Sequence, residues 1–150
     1  MTIHRFPLSG LLLLNPGTIA AAEPAATVAP PSADVLLKTT TSWDGGGVSY
    51  PAGNAEITIV RMTMAQDQEV PLHCHPVPTF GVMLKGKLQV TTESGQRKLL
   101  SAGEPIVEVM KTMHSSRVIE GPAEFIVFYA GAEGVENTQP ASAGGNCERD

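Results

Sequence analysis

Three histidines carry the most informative chemistry in this chain. His73 and His75 are separated by one residue in the run Pro-Leu-His-Cys-His-Pro, His114 follows later, and the fourth histidine, His4, lies at the N-terminus. In a β-strand, alternate side chains point to the same face, so a His-x-His pair places two imidazoles side by side. Imidazole is the commonest protein ligand for metals, and a third histidine from a neighbouring strand completes one face of a coordination sphere. The spacing therefore predicts a metal site.

The rest of the sequence supplies strands that could position such a site. Runs of β-branched and other apolar residues alternate with turn signals rich in Gly, Pro and Asp, and no segment shows a convincing helical period. The nine predicted strands span residues 35–41, 56–64, 72–75, 80–84, 87–92, 97–100, 106–110, 114–119 and 123–130. Lys85 and Gly86 are interpreted as a hairpin turn between two of them. Many short strands with closely spaced turns are typical of a β-sandwich or barrel.

The spacing of these residues resembles the two sequence motifs of the cupin superfamily. The first motif has two His, then a Glu, then a Gly seven residues beyond that Glu, and His73, His75 and Gly86 stand at the corresponding positions. The second motif begins with Gly and ends on His, as do Gly103 and His114. The resemblance covers residues 35–130. It implies an all-β fold, the double-stranded β-helix or cupin jelly-roll barrel, with His73, His75 and His114 as metal ligands.

The sequence departs from this family pattern at four positions. Val109 and Lys111 replace the Pro and Gly of the second motif, and Val118 stands where Asn is common. Thr79 stands where the family usually has its glutamate ligand. A neutral hydroxyl is a poor substitute for a carboxylate on a divalent cation. We therefore expect Thr79 to face the metal from the substrate pocket and to hold at most a water.

The ligand set implied by the resemblance is three neutral imidazoles around one divalent transition metal, namely Fe, Mn, Ni or Zn. Such a site leaves the ion its full charge and open coordination positions, which suit an enolised or phenolic ligand beside water or dioxygen. The expected function is a metal-dependent enzyme of dioxygenase type that acts on such a small molecule. The alternative is a non-catalytic cupin that binds or senses a small ligand, with or without a metal. A metal is favoured because three buried imidazoles without a cation would need other partners.

Several methionines are candidates for the wall of a substrate pocket. Strand alternation makes Met62, Met64 and Met83 credible pocket residues, although filling of the core is the alternative explanation. No residue is an evident general base. Glu93 and Glu108 are the acids nearest the motifs, and both are expected at the surface.

The two ends of the sequence differ in composition from the middle. Residues 1–22 combine a basic start, an apolar stretch and an Ala-Ala-Ala cleavage site, which predicts a signal peptide and a periplasmic or secreted protein. A disordered tail is the alternative. Residues 23–33 are interpreted as a Pro/Ala-rich linker, 34–131 as the cupin domain and 132–150 as a flexible C-terminal tail.

The two cysteines allow a disulfide after export. Cys74 lies between His73 and His75, so alternation points its side chain to the opposite face of the strand. A bridge to Cys147 would pin the C-terminal tail across the barrel. The alternative is that Cys147 lies in a mobile tail and both thiols remain free.

Charge and hydropathy restrict the partners. The 150 residues carry a formal net charge of −5, which argues against nucleic acid as a partner. No apolar run reaches the roughly 18–20 residues that a transmembrane helix needs. The expected partner is a small-molecule ligand or substrate, and a homodimer is left open.

Overall fold

The computed structural model describes residues 29–141 and Cys147, and those residues contain seven β-strands and no α-helix. The described residues from Asp34 onwards form one compact unit. The strands are β1 (Ala55–Met64), β2 (Glu69–Cys74), β3 (Thr79–Thr92), β4 (Arg97–Ser101), β5 (Pro105–Val107), β6 (His114–Ala132) and β7 (Gln139–Pro140). All of their pairings are antiparallel. The predicted all-β fold class is confirmed for the described residues.

The sheet is organised around β6, which pairs with β1, β2 and β3. Along the main path the strand order is β4-β3-β6-β2-β7, with β1 also on β6 and β5 also on β3. The first half of β6 lies against β2, and in this register His114 is the direct partner of His73. The pairing of these two strands therefore assembles histidines that are far apart in sequence.

Gly86 lies within a continuous strand and not in the predicted hairpin turn. Its φ is +77°, and a Cβ built on it would come within 2.5 Å of the Glu120 carbonyl oxygen and 2.9 Å of the Ala123 Cα. The register between β3 and β6 shifts on both sides of this glycine. Such irregularities bend a strand without ending it. The predicted strands 80–84 and 87–92 are therefore one strand, β3.

Two other predictions about strands differ from the structure. Predicted strands 114–119 and 123–130 join in β6, because the chain stays in the sheet through Gly121 and Pro122. The predicted strand 35–41 is exposed and outside the sheet, and its only pairing among the described residues is an isolated bridge from Thr41 to Gly47.

The core is one apolar cluster inside the bent sheet. Val90 and Val118 are fully buried there, and Leu100 is 1% exposed. The buried members of the cluster are Met64, Met83, Leu88, Val90, Leu100, Ile106, Val118, Ala123, Phe125 and Val127. These residues come from β1, β3, β4, β5 and β6, so the core holds β6, which carries His114, while β2 contributes only the partly buried Val70.

The described part of the C-terminal region is attached to β2. In β7, Gln139 pairs with Cys74 and Pro140 pairs with His73. Cys74 is fully buried and forms a disulfide with Cys147, their Cα atoms 6.1 Å apart. Of the two alternatives for the cysteines, the structure has the bridge. The predicted flexible tail thus contains an ordered strand, because β2 offers it a free edge.

Some predictions fall on segments that the structure leaves undescribed. The predicted signal peptide and most of the linker lie outside the described residues, as do positions 142–146 and 148–150. The described residues include no helix long and apolar enough to cross a membrane.

Candidate metal centre

The three histidines predicted as ligands lie together. One possible ligand atom from each of His73, His75 and His114 lies within 4.8 Å of the others. The ring centroids are 4.9 Å apart for His73 and His75, 4.3 Å for His73 and His114, and 5.0 Å for His75 and His114. His73 is on β2, His75 follows that strand, and His114 begins β6. Strand pairing has therefore brought the motif together as the spacing suggested.

Each imidazole is oriented by a hydrogen bond from the same ring nitrogen. The Nδ1–H of His73 donates to the Pro71 carbonyl at 2.7 Å, and that of His114 donates to the Thr112 carbonyl at 2.8 Å. The Nδ1–H of His75 donates to the Asn137 carbonyl at 2.9 Å. A carbonyl oxygen only accepts, so each Nδ1 carries the proton and each Nε2 carries a free lone pair. Carbonyl partners of this kind orient histidine ligands in metal sites.

Burial keeps the three imidazoles neutral. It lowers the pKa of His75 to about 3 and that of His114 to about 4, while hydrogen bonds to the backbone carbonyls partly oppose the shift. Burial also lowers the pKa of His73. The neutral form is the one that binds metals, and lowered pKa values extend that form to acidic pH. Metal binding here needs no proton release near neutral pH.

The donor set fits a divalent transition metal. Among the described residues, no hydrogen bond is made to the Nε2 atom of His73, His75 or His114. Three lone pairs that face one another in a buried place repel, and a cation placed among them removes that repulsion. The residues present could therefore hold a metal ion on one face, with its remaining positions open to the cavity.

Glu108 is a site residue that the sequence placed at the surface. Its side chain is only 16% exposed, and its Oε2 lies 3.9 Å from the His114 Nε2. The backbone N–H of Glu108 donates to the Thr79 carbonyl at 2.8 Å, which holds the residue against the cavity wall. Burial raises the pKa of the Glu108 carboxyl to about 7. Glu108 is two residues after the buried Ile106, and alternate residues of a strand point to the same face. This spacing could have predicted that Glu108 points into the barrel.

A cavity of about 240 Å³ opens in front of the three histidines. Besides the histidines, its polar lining residues are Thr79, Glu108, Ser116, Tyr129 and Thr138. Its apolar lining residues are Met62, Val70, Leu88, Phe125 and Val127. Small-ligand sites commonly combine such an apolar wall with a few convergent polar groups. The cavity can therefore enclose a small molecule against the metal face.

The predicted pocket residues are divided between the cavity and the core. Thr79 and Met62 line the cavity. Thr79 is 2% exposed and its hydroxyl donates to the Val77 carbonyl at 3.1 Å. Met64 and Met83 lie in the core cluster, 3% and 2% exposed, and are not among the cavity-lining residues. Alternation gave residues that face the interior, but Met64 and Met83 pack in the core and do not line the cavity.

Two other cavity residues have no counterpart in the sequence prediction. Thr138 belongs to the segment expected to be a flexible tail, and its hydroxyl lies 3.3 Å from the His75 Nδ1. Tyr129 lies with its ring 5.6 Å from that of His75, and burial raises its pKa. Predicting that Tyr129 faces the cavity would have required knowledge of the register shifts between β3 and β6.

Comparison with known proteins finds similar solved structures. No family model and no curated protein matches this sequence. The structure is similar to KdgF from Halomonas sp. (TM-score 0.46, 23% identity, 55% of this chain and 76% of that chain). It is also similar to an RmlC-like cupin protein from Desulfovibrio desulfuricans (0.44, 22%, 55% and 77%). A third similar structure is the DMSP lyase DddQ from Ruegeria pomeroyi (0.49, 19%, 67% and 49%).

Proposed function

We propose that this protein binds one divalent transition metal and is a small enzyme of dioxygenase type. The proposed metal ligands are the Nε2 atoms of His73, His75 and His114, and the proposed substrate is an enolisable or phenolic small molecule. One observation carries the proposal: each Nδ1–H is engaged by a main-chain carbonyl, which leaves the three Nε2 lone pairs free in a cluster whose possible ligand atoms lie within 4.8 Å of one another. Nitrogen ligands of this kind suit Fe, Mn, Ni or Zn.

The residues around the site support an oxygen-donor substrate. A bound ion would supply Lewis acidity at the positions that the imidazoles leave open. No carboxylate belongs to the three-histidine group, so the protein ligands do not reduce the charge of the ion. Ionised enols and phenols are favoured by that charge. Met62, Leu88 and Phe125 shield the bound molecule from water and contact its apolar part.

The disulfide supports a proposal about location. Disulfides persist in oxidising compartments, and the bond between Cys74 and Cys147 is therefore consistent with a periplasmic or secreted protein. If the predicted signal peptide is cleaved after Ala22, the mature protein from an exporting host begins at Glu23. N-terminal sequencing of the mature protein tests this. An unprocessed N-terminus on protein recovered from the cytoplasm would contradict the proposal.

Metal analysis followed by oxygen uptake tests the proposed activity. Protein purified without a histidine tag should contain close to one transition metal per chain, and His75→Ala should lose it. A matched control is Gln96→Ala in an exposed turn, which should retain the metal. Protein loaded with Fe(II), Mn(II) or Ni(II) should consume oxygen with members of a panel of enols, diketones and catechols.

The same experiment separates an enzyme from a binding protein. If all metals fail to give turnover while panel members still bind tightly, the protein is a binding or sensing module. If His75→Ala retains the metal, the proposed ligand set is wrong.

A further inference from the structure

The Glu108 carboxyl has an oxygen without a partner. Its Oε2 is buried and accepts no hydrogen bond from any residue that the structure describes. A buried carboxyl oxygen normally has a partner, and an unmet one is destabilising. Glu108 lines the cavity, so a molecule inside the cavity can provide the missing group.

Trp43 does not remove this requirement. Its indole Nε1 is also buried without a hydrogen-bond partner in the described part of the chain. The Trp43 side chain lies near enough to lower the pKa of the Glu108 carboxyl, which partly opposes the increase caused by burial. An indole offers one N–H, whereas a carboxylate has about four lone-pair positions. A full hydrogen bond from Trp43 would still leave acceptor positions on Glu108 facing the cavity.

We propose that Glu108 is a specificity-determining residue that selects ligands bearing a hydroxyl group beside the three-histidine face. The inference rests on the proposed function, because it takes the ligand to lie against those histidines. The Oε2 of Glu108 lies 3.9 Å from the His114 Nε2, so a hydroxyl bonded to Glu108 is also next to the metal face. The two interactions fix the orientation of a ligand at one end.

The cavity restricts the rest of the ligand. Its volume is about 240 Å³. A single substituted ring or a short enol fits inside it. Val70, Phe125 and Val127 require an apolar body. The ligand class is therefore a small hydroxylated aromatic or enol.

A hydroxyl suits Glu108 in either protonation state. It donates to an ionised carboxylate and accepts from a protonated carboxyl, so this pairing does not depend on titration. A ligand without the hydroxyl leaves the carboxyl oxygen unpaired in the complex. Loss of a hydrogen bond to a carboxyl group typically weakens binding by roughly 10-fold to 100-fold.

The test compares two probes on metal-loaded protein. Catechol and phenol differ by one hydroxyl, and Zn(II) is not redox-active, so calorimetry reports binding without turnover. Wild type should prefer catechol, and Glu108→Leu should reduce that preference by roughly 10-fold or more. Glu108→Gln should retain most of it, because an amide also donates and accepts. Glu93→Leu, in an exposed turn, is the matched control and should behave as wild type.

The outcomes separate this inference from the proposed function. Zn(II) is first titrated into each variant, and Glu108→Leu should bind the metal as wild type does. A loss comparable with that of His75→Ala would make Glu108 a ligand and overturn the inference. An unchanged catechol preference in Glu108→Leu would overturn it as well.

Failure of wild type to bind any metal would remove the proposed function. The same probes are then titrated into metal-free protein. If metal-free wild type binds catechol more tightly than phenol and Glu108→Leu loses this difference, the inference about Glu108 stands. If metal-free wild type shows no such difference, the inference is overturned. Glu108→Leu should fold, since it replaces a buried unpaired carboxyl by an apolar side chain.

Discussion

The Nδ1–H of His75 donates at 2.9 Å to the carbonyl of Asn137, which lies 62 residues later in the chain. The same C-terminal segment pairs with β2 through β7 and is joined to Cys74 by the disulfide from Cys147. A candidate metal ligand and a covalent bridge are thus supported by one piece of chain. The orientation of His75 therefore depends on how firmly that segment is attached.

Reduction of the disulfide should weaken metal binding. Without the bridge the segment around Asn137 is held by the short β7 and by the hydrogen bond from the Asn137 amide to the Thr58 hydroxyl. Loss of an orienting carbonyl typically lowers metal affinity by about 10-fold to 100-fold. Stability should fall by about 2–4 kcal/mol, because the bridge closes a loop between residues 73 positions apart. Metal titration and urea unfolding with and without reductant measure both effects. The variant with both Cys74→Ser and Cys147→Ser should not respond to reductant.

Thr79→Ala should change metal affinity little. The Thr79 hydroxyl already donates to the Val77 carbonyl, and an uncharged hydroxyl is a weak ligand for a divalent cation. Thr79→Glu should tighten metal binding by adding a charged ligand while it occupies a position that substrate needs. Metal affinities of both variants provide the measurement. A loss in Thr79→Ala as large as in His73→Ala would place Thr79 in the coordination sphere.

The metal-free protein should lose stability as the pH falls below about 6.5. Burial lowers the pKa of His75 to about 3 and of His114 to about 4, whereas an unfolded histidine titrates near 6.5. In that interval the unfolded chain binds more protons than the folded chain, so stability is complete above about pH 6.5 and decreases below it. Urea unfolding from about pH 7 to pH 4 measures the slope. Carboxylates also make the free energy of unfolding depend on pH in this range. The variant His75→Asn should show a weaker pH dependence than wild type, and the difference between the two measures the contribution of His75.

Gly86→Ala should be strongly destabilising. The residue needs positive φ, and a Cβ would meet backbone atoms of β6 at 2.5 Å and 2.9 Å. The left-handed conformation alone costs about 1–2 kcal/mol, and the clash adds to it. Gly95→Ala is the matched control, because Gly95 has a φ of +89° but nothing within 4 Å of the added Cβ. Chemical unfolding should give the larger loss for Gly86→Ala, and equal losses would show that β6 moves aside.

The sequence predicted that the three histidines lie together, and the structure brings them together. His73 and His75 are separated by one residue at the end of β2, and the Gly103 to His114 spacing pointed to the third histidine. The inward positions of β6 were harder to predict. His114 and Ser116 face the cavity on even positions, whereas Phe125, Val127 and Tyr129 face it on odd positions. The change occurs near the glycine at 121, where alternation cannot be counted across the irregular register.

Long-range contacts explain what else the sequence left out. Asn137 and Thr138 reach His75 only because β7 lies on β2, and no local pattern indicates that pairing. Glu108 was placed at the surface on the usual preference of its residue type, although it is held inside by a backbone bond to Thr79. The usual preference of glutamate for the protein surface is a poor guide where the carboxyl group lines a cavity.

The position of β6 in the chain has a consequence for synthesis. β1, β2 and β3 all precede the strand that joins them, so a growing chain makes these elements before their common partner exists. At about 5–20 residues per second, they wait for several seconds with unpaired edges. Sheets built from such distant pairings fold slowly. Under the proposed function, His73 and His75 meet His114 only when β6 docks. Metal uptake is then coupled to the end of folding, and the ion is selected from the compartment in which folding ends.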